Sequence, residues 1–322
     1  MNVLVDFVGH ADLFYSMHAL FEKRLGYTLY RPLLSDEWNK TNIITATMPY
    51  SNYTEEDGVR HYEIDSHNYF QHCISWQKFL DTDIDIVVTT SWENDSPMAE
   101  LIGKYKPKAK FVRVIANIHE KAKICNNILL ATTEPMTPGV NWLTYHAEHR
   151  DVYQYTPPQV NYKIKSFFNY LNSFPVEKEN WAIYKKLLPQ YTFLMHGGES
   201  EDGSIPQSEL YKVMSDSMFI WHPKPHGGCG YTARQSLASG RPLIVNKAYC
   251  NQYNTLAKNY LVDGINCIDM SVRSSAEVAK LIVKWSEPEF YYKKCLTVKA
   301  FFEEKINFAK EAEAIRVWLD KL

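Results

Sequence analysis

The sequence predicts an α/β chain with buried parallel strands, built as two halves of similar size. Short unbroken apolar runs alternate with longer stretches of helical spacing, and one proline-rich interruption lies near the middle. In the first half, strands are expected at 2–8, 43–47, 84–90, 111–116, 127–131 and 141–145. Helices are expected at 14–25, where apolar residues fall at 14, 17, 20, 21 and 25, and at 97–105. The second of these has Ser96 as its N-cap and Pro97 at the first helical position. Around 151–163, Pro157-Pro158 stops both helix and ladder, which reads as a linker. A second series follows, with strands at 163–169, 192–196, 218–222 and 242–246 and helices near 178–188, 206–214 and 231–239. The tail 298–322 is amphipathic and needs a surface to dock on.

Composition narrows the function class. With 322 residues, 45% hydrophobic and 14% aromatic, the chain is globular rather than disordered or fibrous. A formal charge of −2 sets up no global field for a polyanion. One local exception is the basic run Lys104, Lys106, Lys108, Lys110, Arg113, Lys121 and Lys123, which contains one acid, Glu120. The 6 cysteines form no C-x-x-C pair and no cleavable leader precedes them, so a reduced, cytoplasmic protein is expected. No segment approaches the ~18 apolar residues of a membrane span. Histidine pairs occur at His146/His149, His222/His226 and among His61, His67 and His72, but a third ligand in phase is missing, so no metal site is expected.

Glycine is concentrated. Of 13 in the chain, seven (197, 198, 203, 227, 228, 230, 240) lie within 44 residues. In an open α/β sheet, ligands bind beyond the carboxyl ends of the strands. At one such end, after His222, a loop with Gly227, Gly228 and Gly230 leads into a helix starting at Tyr231. Free N–H groups and the helix dipole make an anion site there, to which Lys224 and His226 add donors. Gly197, Gly198 and Glu199 follow another strand, and Gly9, His10 and Asp12 follow the first. Ser91-Trp92-Glu93-Asn94-Asp95 follows the strand at 84–90, where Glu93 or Asp95 is placed to deprotonate a hydroxyl. For Asp95, helix capping is an equal alternative.

The segment from Trp221 to Val245, closing in Leu237-Ala-Ser-Gly-Arg-Pro-Leu-Ile-Val, resembles the donor-binding segment of retaining glycosyltransferases of the GT-B fold. That family's two glutamates, separated by seven residues, fall on Gly227 and Gln235. The resemblance implies two Rossmann-like domains with a C-terminal crossover helix. An acceptor-side domain would span 1–152, with 289–322 packing back on it, and a donor-binding domain 153–288. It implies that a nucleotide-sugar, UDP-linked in the first instance, meets Lys178, Gly197, Gly198, Glu199, Lys224, His226, Gly227, Gly228, Gly230, Tyr231, Thr232 and Gln235. Gly9 would touch phosphate from the other side, while His10 or Asp12 orients the acceptor. Neither cofactor nor metal is needed, because helix N-termini and basic side chains neutralise the diphosphate. Retention follows from the resemblance, and an inverting route through Glu93 or Asp95 is the rival. Trp221-His-Pro-Lys-Pro also resembles bacteriophage glycosyltransferase-like proteins. That likeness makes a hydroxymethylated base in DNA one possible acceptor, contacted through Lys104, Lys106, Lys108, Lys110 and Arg113; a glycan or small-molecule hydroxyl is the other. A non-catalytic scaffold and an epimerase of the same fold are the remaining alternatives.

Overall fold

The computed structural model describes residues 1–6, 16–44, 52–65, 69–115, 122, 124–130, 140–141, 154–168, 171–223, 225 and 230–322. The chain divides into two compact units, Met1–Glu148 with Phe308–Leu322, and His149–Asn307.

In the first unit, nine strands are found among the described residues. They are Asn2–Val5 (β1), Thr28–Pro32 (β2), Tyr53–Glu56 (β3), Val59–Asp65 (β4), Tyr69–Ile74 (β5), Ile86–Thr89 (β6), Lys110–Ile115 (β7), Ile128–Leu130 (β8) and Val140–Asn141 (β9). Their order is β3-β4-β5-β2-β1-β6-β7-β8-β9. Neighbours are parallel from β5 to β9, while β3-β4 and β4-β5 are antiparallel. Side chains alternate across this sheet, as the period of two requires. Val3, Val5, Ile86 and Val88 pack with Leu20, Phe21 and the helix Phe308–Asp320 through Ala312, Ile315 and Leu319. Leu4 and Val87 lie in the opposite layer with Trp38, Phe79 and Leu101. Burial on both faces is why β1 and β6 read as unbroken apolar runs.

Four departures from the sequence reading have physical causes. The expected strand at 43–47 is not a strand at Ile43 and Ile44, because the Asn94 side chain occupies both backbone groups of Ile44. Asn94 Oδ1 accepts from Ile44 N–H at 2.8 Å, and Asn94 Nδ2 donates to Ile44 C=O at 2.7 Å; residues 45–47 lie outside the described residues. Strands β2 to β5 are not expected from the sequence; of these, β3 is exposed along its whole length and shows no apolar face. Their signal was Asp57-Gly58, with φ of 48° and 74°, a two-residue turn joining the Glu56–Val59 pair. The helix at 97–105 begins earlier, at Asp95, after a 3₁₀ turn Trp92–Asn94 whose cap is Ser91 rather than Ser96. Pro97 still falls in the first turn, where its missing N–H costs nothing. Finally, Ala19–Arg24 is a π-helix, which buries Ala19, Leu20 and Phe21 in succession.

The second unit carries Lys163–Ser166 (β10), Thr192–Met195 (β11), Phe219–His222 (β12), Leu243–Val245 (β13) and Cys267–Asp269 (β14). The sheet is parallel throughout, in the order β11-β10-β12-β13-β14. One face packs Ile164, Phe219, Trp221 and Ile244 against Trp181 and Tyr184 of the helix Pro175–Leu187 and Val278 and Ile282 of Ser275–Trp285. The return to the first unit starts at Phe308, not at 289. The helix Pro288–Lys305 stays with the second unit because Tyr291 and Cys295 are fully buried in that core, and Tyr291 Oη donates to Met218 C=O at 2.8 Å.

Candidate functional site

In the second unit the chain runs from β10 outward to β11 and then crosses back to β12, so strand order reverses between β10 and β12. At such a switch point the loops leaving adjacent carboxyl ends diverge to opposite faces and open a crevice. Phe167 and Phe168 leave β10 there, and Pro223 leaves β12. Lys224, His226, Gly227 and Gly228 lie outside the described residues. The loop re-enters at Gly230, the N-cap of the helix Tyr231–Ala238, with φ 77° and ψ 125°. That left-handed φ suits glycine, and Gly230, having no side chain, cannot itself cap the helix that it opens. Tyr231 and Thr232 are half-buried in the first turn, and Gln235 is buried one turn further. Arg234, absent from the sequence reading, is 0% exposed, its guanidinium 5.0 Å from the Tyr260 ring centroid. A fixed positive charge thus sits one turn inside this helix start and adds to its dipole.

The neighbouring strand ends converge on the same edge of the sheet. Lys178 Nζ donates to Asn172 Oδ1 at 3.0 Å, and Asn172 Nδ2 donates to Glu199 C=O at 3.3 Å, so Lys178 and Glu199 are joined through Asn172. Gly197 is buried and Gly198 exposed in the turn closed by Gly197 N–H on Gly203 C=O at 3.0 Å. His196 stacks on Phe167, with ring centroids 5.8 Å apart, and burial pushes its imidazole below the usual range. Ser166, at the end of β10, is 0% exposed and its hydroxyl has no hydrogen-bond partner among the described residues. Glu177, also missed from sequence, is 5% exposed and receives Asn180 and Asn246 amides at 3.3 and 3.4 Å. Burial drives its carboxyl upward against those two bonds. Its signal was only an acid in the first turn after Pro175, which reads as ordinary helix-start chemistry.

The first unit has its own switch point, between β1 and β6. Gly9, His10 and Asp12 lie outside the described residues, but Asp6, at the end of β1, is fully buried. Its carboxylate receives Thr90 N–H and Thr90 Oγ1 at 2.8 Å each, Asn94 Nδ2 at 2.9 Å and Ser91 N–H at 3.4 Å. One side chain therefore clamps the loop after β6 to the end of β1. Desolvation raises the Asp6 carboxyl, while the Asn94 and Thr90 bonds and the Arg113 charge pull it down. The two acids expected to act as bases part company. Glu93 is exposed, whereas Asp95 is 1% exposed, 3.4 Å from Arg113 Nε, and accepts Thr89 Oγ1 at 3.1 Å. Asp95 is a buried helix-start carboxylate held by a buried guanidinium, and so belongs to the scaffold.

The basic run divides in the same way. Arg113 is 0% exposed, Lys106 Nζ donates to Leu80 and Thr82 carbonyls at 2.8 and 2.7 Å, and Lys110 Nζ donates to Leu319 C=O at 2.6 Å. Lys104 and Lys108 remain exposed. Lys121 and Lys123 lie outside the described residues.

Among the histidines, His61 Nδ1 lies 2.7 Å from His72 Nδ1, His72 Nε2 3.4 Å from Glu22 Oε1, and His18 Nε2 2.6 Å from Glu22 Oε2. Burial lowers the His72 imidazole, outweighing the Glu22 charge that raises it, with His61 and His18 lowering it further. A histidine whose folded pKa lies below the unfolded value of about 6.5 is bound by protons more readily when unfolded. Its contribution to stability is therefore full above that pH and lost as the solution is acidified. Melting temperature is expected to fall from pH 7 to pH 5.5, and His72→Gln to flatten that slope; an unchanged slope in scanning calorimetry would refute the assignment.

No protein-family model and no curated protein sequence matches the chain. Solved structures match it over its full length. Anabaena HepE, solved with UDP-glucose, is 12% identical with a TM-score of 0.61 over 100% of both chains. The catalytic domain of starch synthase IV from Arabidopsis thaliana, bound to ADP and acarbose, is 10% identical with a TM-score of 0.62 over 99% of this chain and 98% of that one. The pneumococcal O-GlcNAc transferase GtfA, solved with UDP and GlcNAc, is 10% identical with a TM-score of 0.54 over 100% and 99%. The fold is thus the GT-B fold, an α/β architecture with parallel sheets. Among the described residues, no helix is long and apolar enough to cross a membrane.

Proposed function

We propose that the chain is a glycosyltransferase that moves a sugar from a UDP-sugar to a hydroxyl acceptor, the second unit taking the donor and the first the acceptor. The observation that carries this reading is the strand reversal between β10 and β12, from which a glycine-rich segment leads into a helix capped by Gly230. Charge builds on the leaving diphosphate in the transition state. The main-chain N–H groups of a helix start, with the positive end of its dipole, stabilise such charge without reorganising. Arg234 reinforces the field, and Lys178 and Lys224 supply further positive charge. Gln235 and Gly227, standing where the resembled family has glutamates, shift the burden of donor binding from carboxylates to main-chain amides. HepE and GtfA, which share the fold, were solved with UDP bound, which supports uracil as the base.

The resemblance favours retention, the donor phosphate taking the acceptor proton. An inverting route would fall to Glu93, since Asp95 is committed to Arg113. A glycan or small-molecule hydroxyl is the acceptor this arrangement supports. A base in DNA would need the phosphate contacts that Lys106, Lys110 and Arg113 spend internally.

Acceptor-dependent release of UDP from a UDP-sugar tests the reading. Gly230→Val, which forces a β-branched residue to φ 77°, is expected to lower kcat/KM by about 10²-fold through misdirected amides. Addition of EDTA is expected to leave the rate unchanged. Undiminished turnover in Gly230→Val would overturn the proposed donor site, UDP release without acceptor would indicate an epimerase, and intact donor under all conditions a binding scaffold.

A further inference from the structure

A second feature of the first unit is not used by the donor chemistry. A pocket of about 420 Å³ opens among the residues that follow β2, those that follow β5 and the outer side of the helix Asp95–Tyr105. Its size is within the roughly 300–1,000 Å³ of small-ligand sites. Its wall is aromatic. Half-buried Trp76 and Tyr105 meet edge to face with ring centroids 5.1 Å apart, and Trp76 is braced by Trp38 and Phe79 at 5.0 and 5.4 Å. Braced rings keep a fixed position, so a ligand laid on them has little ordering left to impose. Around this wall stand exposed Glu37, Glu100, Lys40 and Lys104, two charges of each sign. Glu100 and Lys104 are four apart on one helix, and Lys104 Nζ lies 4.9 Å from the centroid of the Tyr105 ring, so the ammonium stands against the aromatic wall itself.

We infer that this pocket binds a neutral saccharide, the non-reacting part of the acceptor. Balanced charge gives it no net pull on an anion or a cation. An acidic sugar would meet Glu37 and Glu100, and a purely apolar ligand would strip water from four charges with nothing in return. A neutral pyranose satisfies both halves of the lining, its C–H face against the rings and its hydroxyls between carboxylate acceptors and ammonium donors. The pocket is also mechanically tied to the first unit's switch point. Asn42 lines the pocket two residues from Ile44, and Ile44 is bound on both backbone groups by Asn94, which donates to Asp6 at 2.9 Å. Saccharide held here would brace the loop that presents the reacting hydroxyl.

The inference rests on the transferase reading for the word acceptor, but binding can be measured without transfer. Saturation-transfer NMR on the full chain, with no donor present, would use maltotriose, cellotriose, chitotriose and mannotriose, with trigalacturonic acid as the anionic probe. At least one neutral trisaccharide is expected to bind, with affinity lowered about tenfold by Glu100→Ala and by Lys104→Ala. Both are exposed groups whose removal leaves the core and UDP affinity unchanged. Absence of binding by every neutral probe, binding that survives both substitutions, or stronger binding of trigalacturonic acid would each overturn the inference. Saccharide binding in a chain that fails to bind UDP would uphold this site and defeat the donor reading instead.

Discussion

Asp6→Ala is expected to lower the stability of the first unit by about 3 kcal/mol and to abolish acceptor-dependent turnover while leaving UDP affinity intact. The carboxylate receives four hydrogen bonds from Thr90, Ser91 and Asn94 in a fully buried position. Removing it strands those donors where water cannot replace the lost acceptor, which costs far more than the net value of the bonds when both partners are present. Asp6→Asn separates shape from chemistry. Its remaining oxygen still accepts from Thr90, but its amide then faces the Asn94 amide, donor against donor. A loss between wild type and Asp6→Ala is therefore expected. Urea unfolding gives the stability series, and calorimetric titration with UDP gives the control. Parallel loss of UDP binding would show that the effect is not confined to the first unit.

Arg241→Met carries the largest expected effect in the second unit, about 4 kcal/mol. The guanidinium is 1% exposed and donates to Ser215, Ser239 and Thr156 carbonyls and to Thr156 Oγ1, at 2.7–3.1 Å. It therefore satisfies chain ends from three segments: the end of the helix Gln207–Ser215, the end of Tyr231–Ala238 and the proline-rich stretch. Methionine of similar length keeps the packing but leaves three carbonyls without a donor. Because Tyr231–Ala238 is the helix whose start is assigned to the diphosphate, UDP affinity should fall with stability. Arg241→Lys would rescue only part, since one ammonium cannot span the fork that a planar guanidinium fills. Equal stability of Arg241→Met and wild type in urea would contradict this account.

What the sequence made legible follows burial. β1, β6, β7, β12 and β13 are short, largely apolar runs with covered faces, and each is expected at or near its place. The strands it hid are those whose environment is not written in their own residues. β3 is an exposed edge, and β14, Cys-Ile-Asp, is buried although its own residues make no apolar run. The loops of the candidate site were legible as glycine punctuation after strands, because only a backbone requirement concentrates glycine in this way. The polar residues inside the core were not. Asp6, Glu177 and Arg234 each look like ordinary surface charges in sequence, and only the three-dimensional neighbours show them buried. Conversely, Asp95 and Arg113 looked available and proved to be committed to each other.

The first unit is closed by a segment that follows the whole of the second in sequence. Ala312, Ile315 and Leu319 complete one of its two apolar layers, yet all of 149–307 is synthesised before them. During translation the second unit has every residue of its core while the sheet face formed by Val3, Val5, Ile86 and Val88 is covered only in part, by Met17, Leu20 and Phe21. The nascent chain thus carries an exposed hydrophobic surface through the production of about half its length, a window in which chaperone occupancy rather than native stability governs its fate.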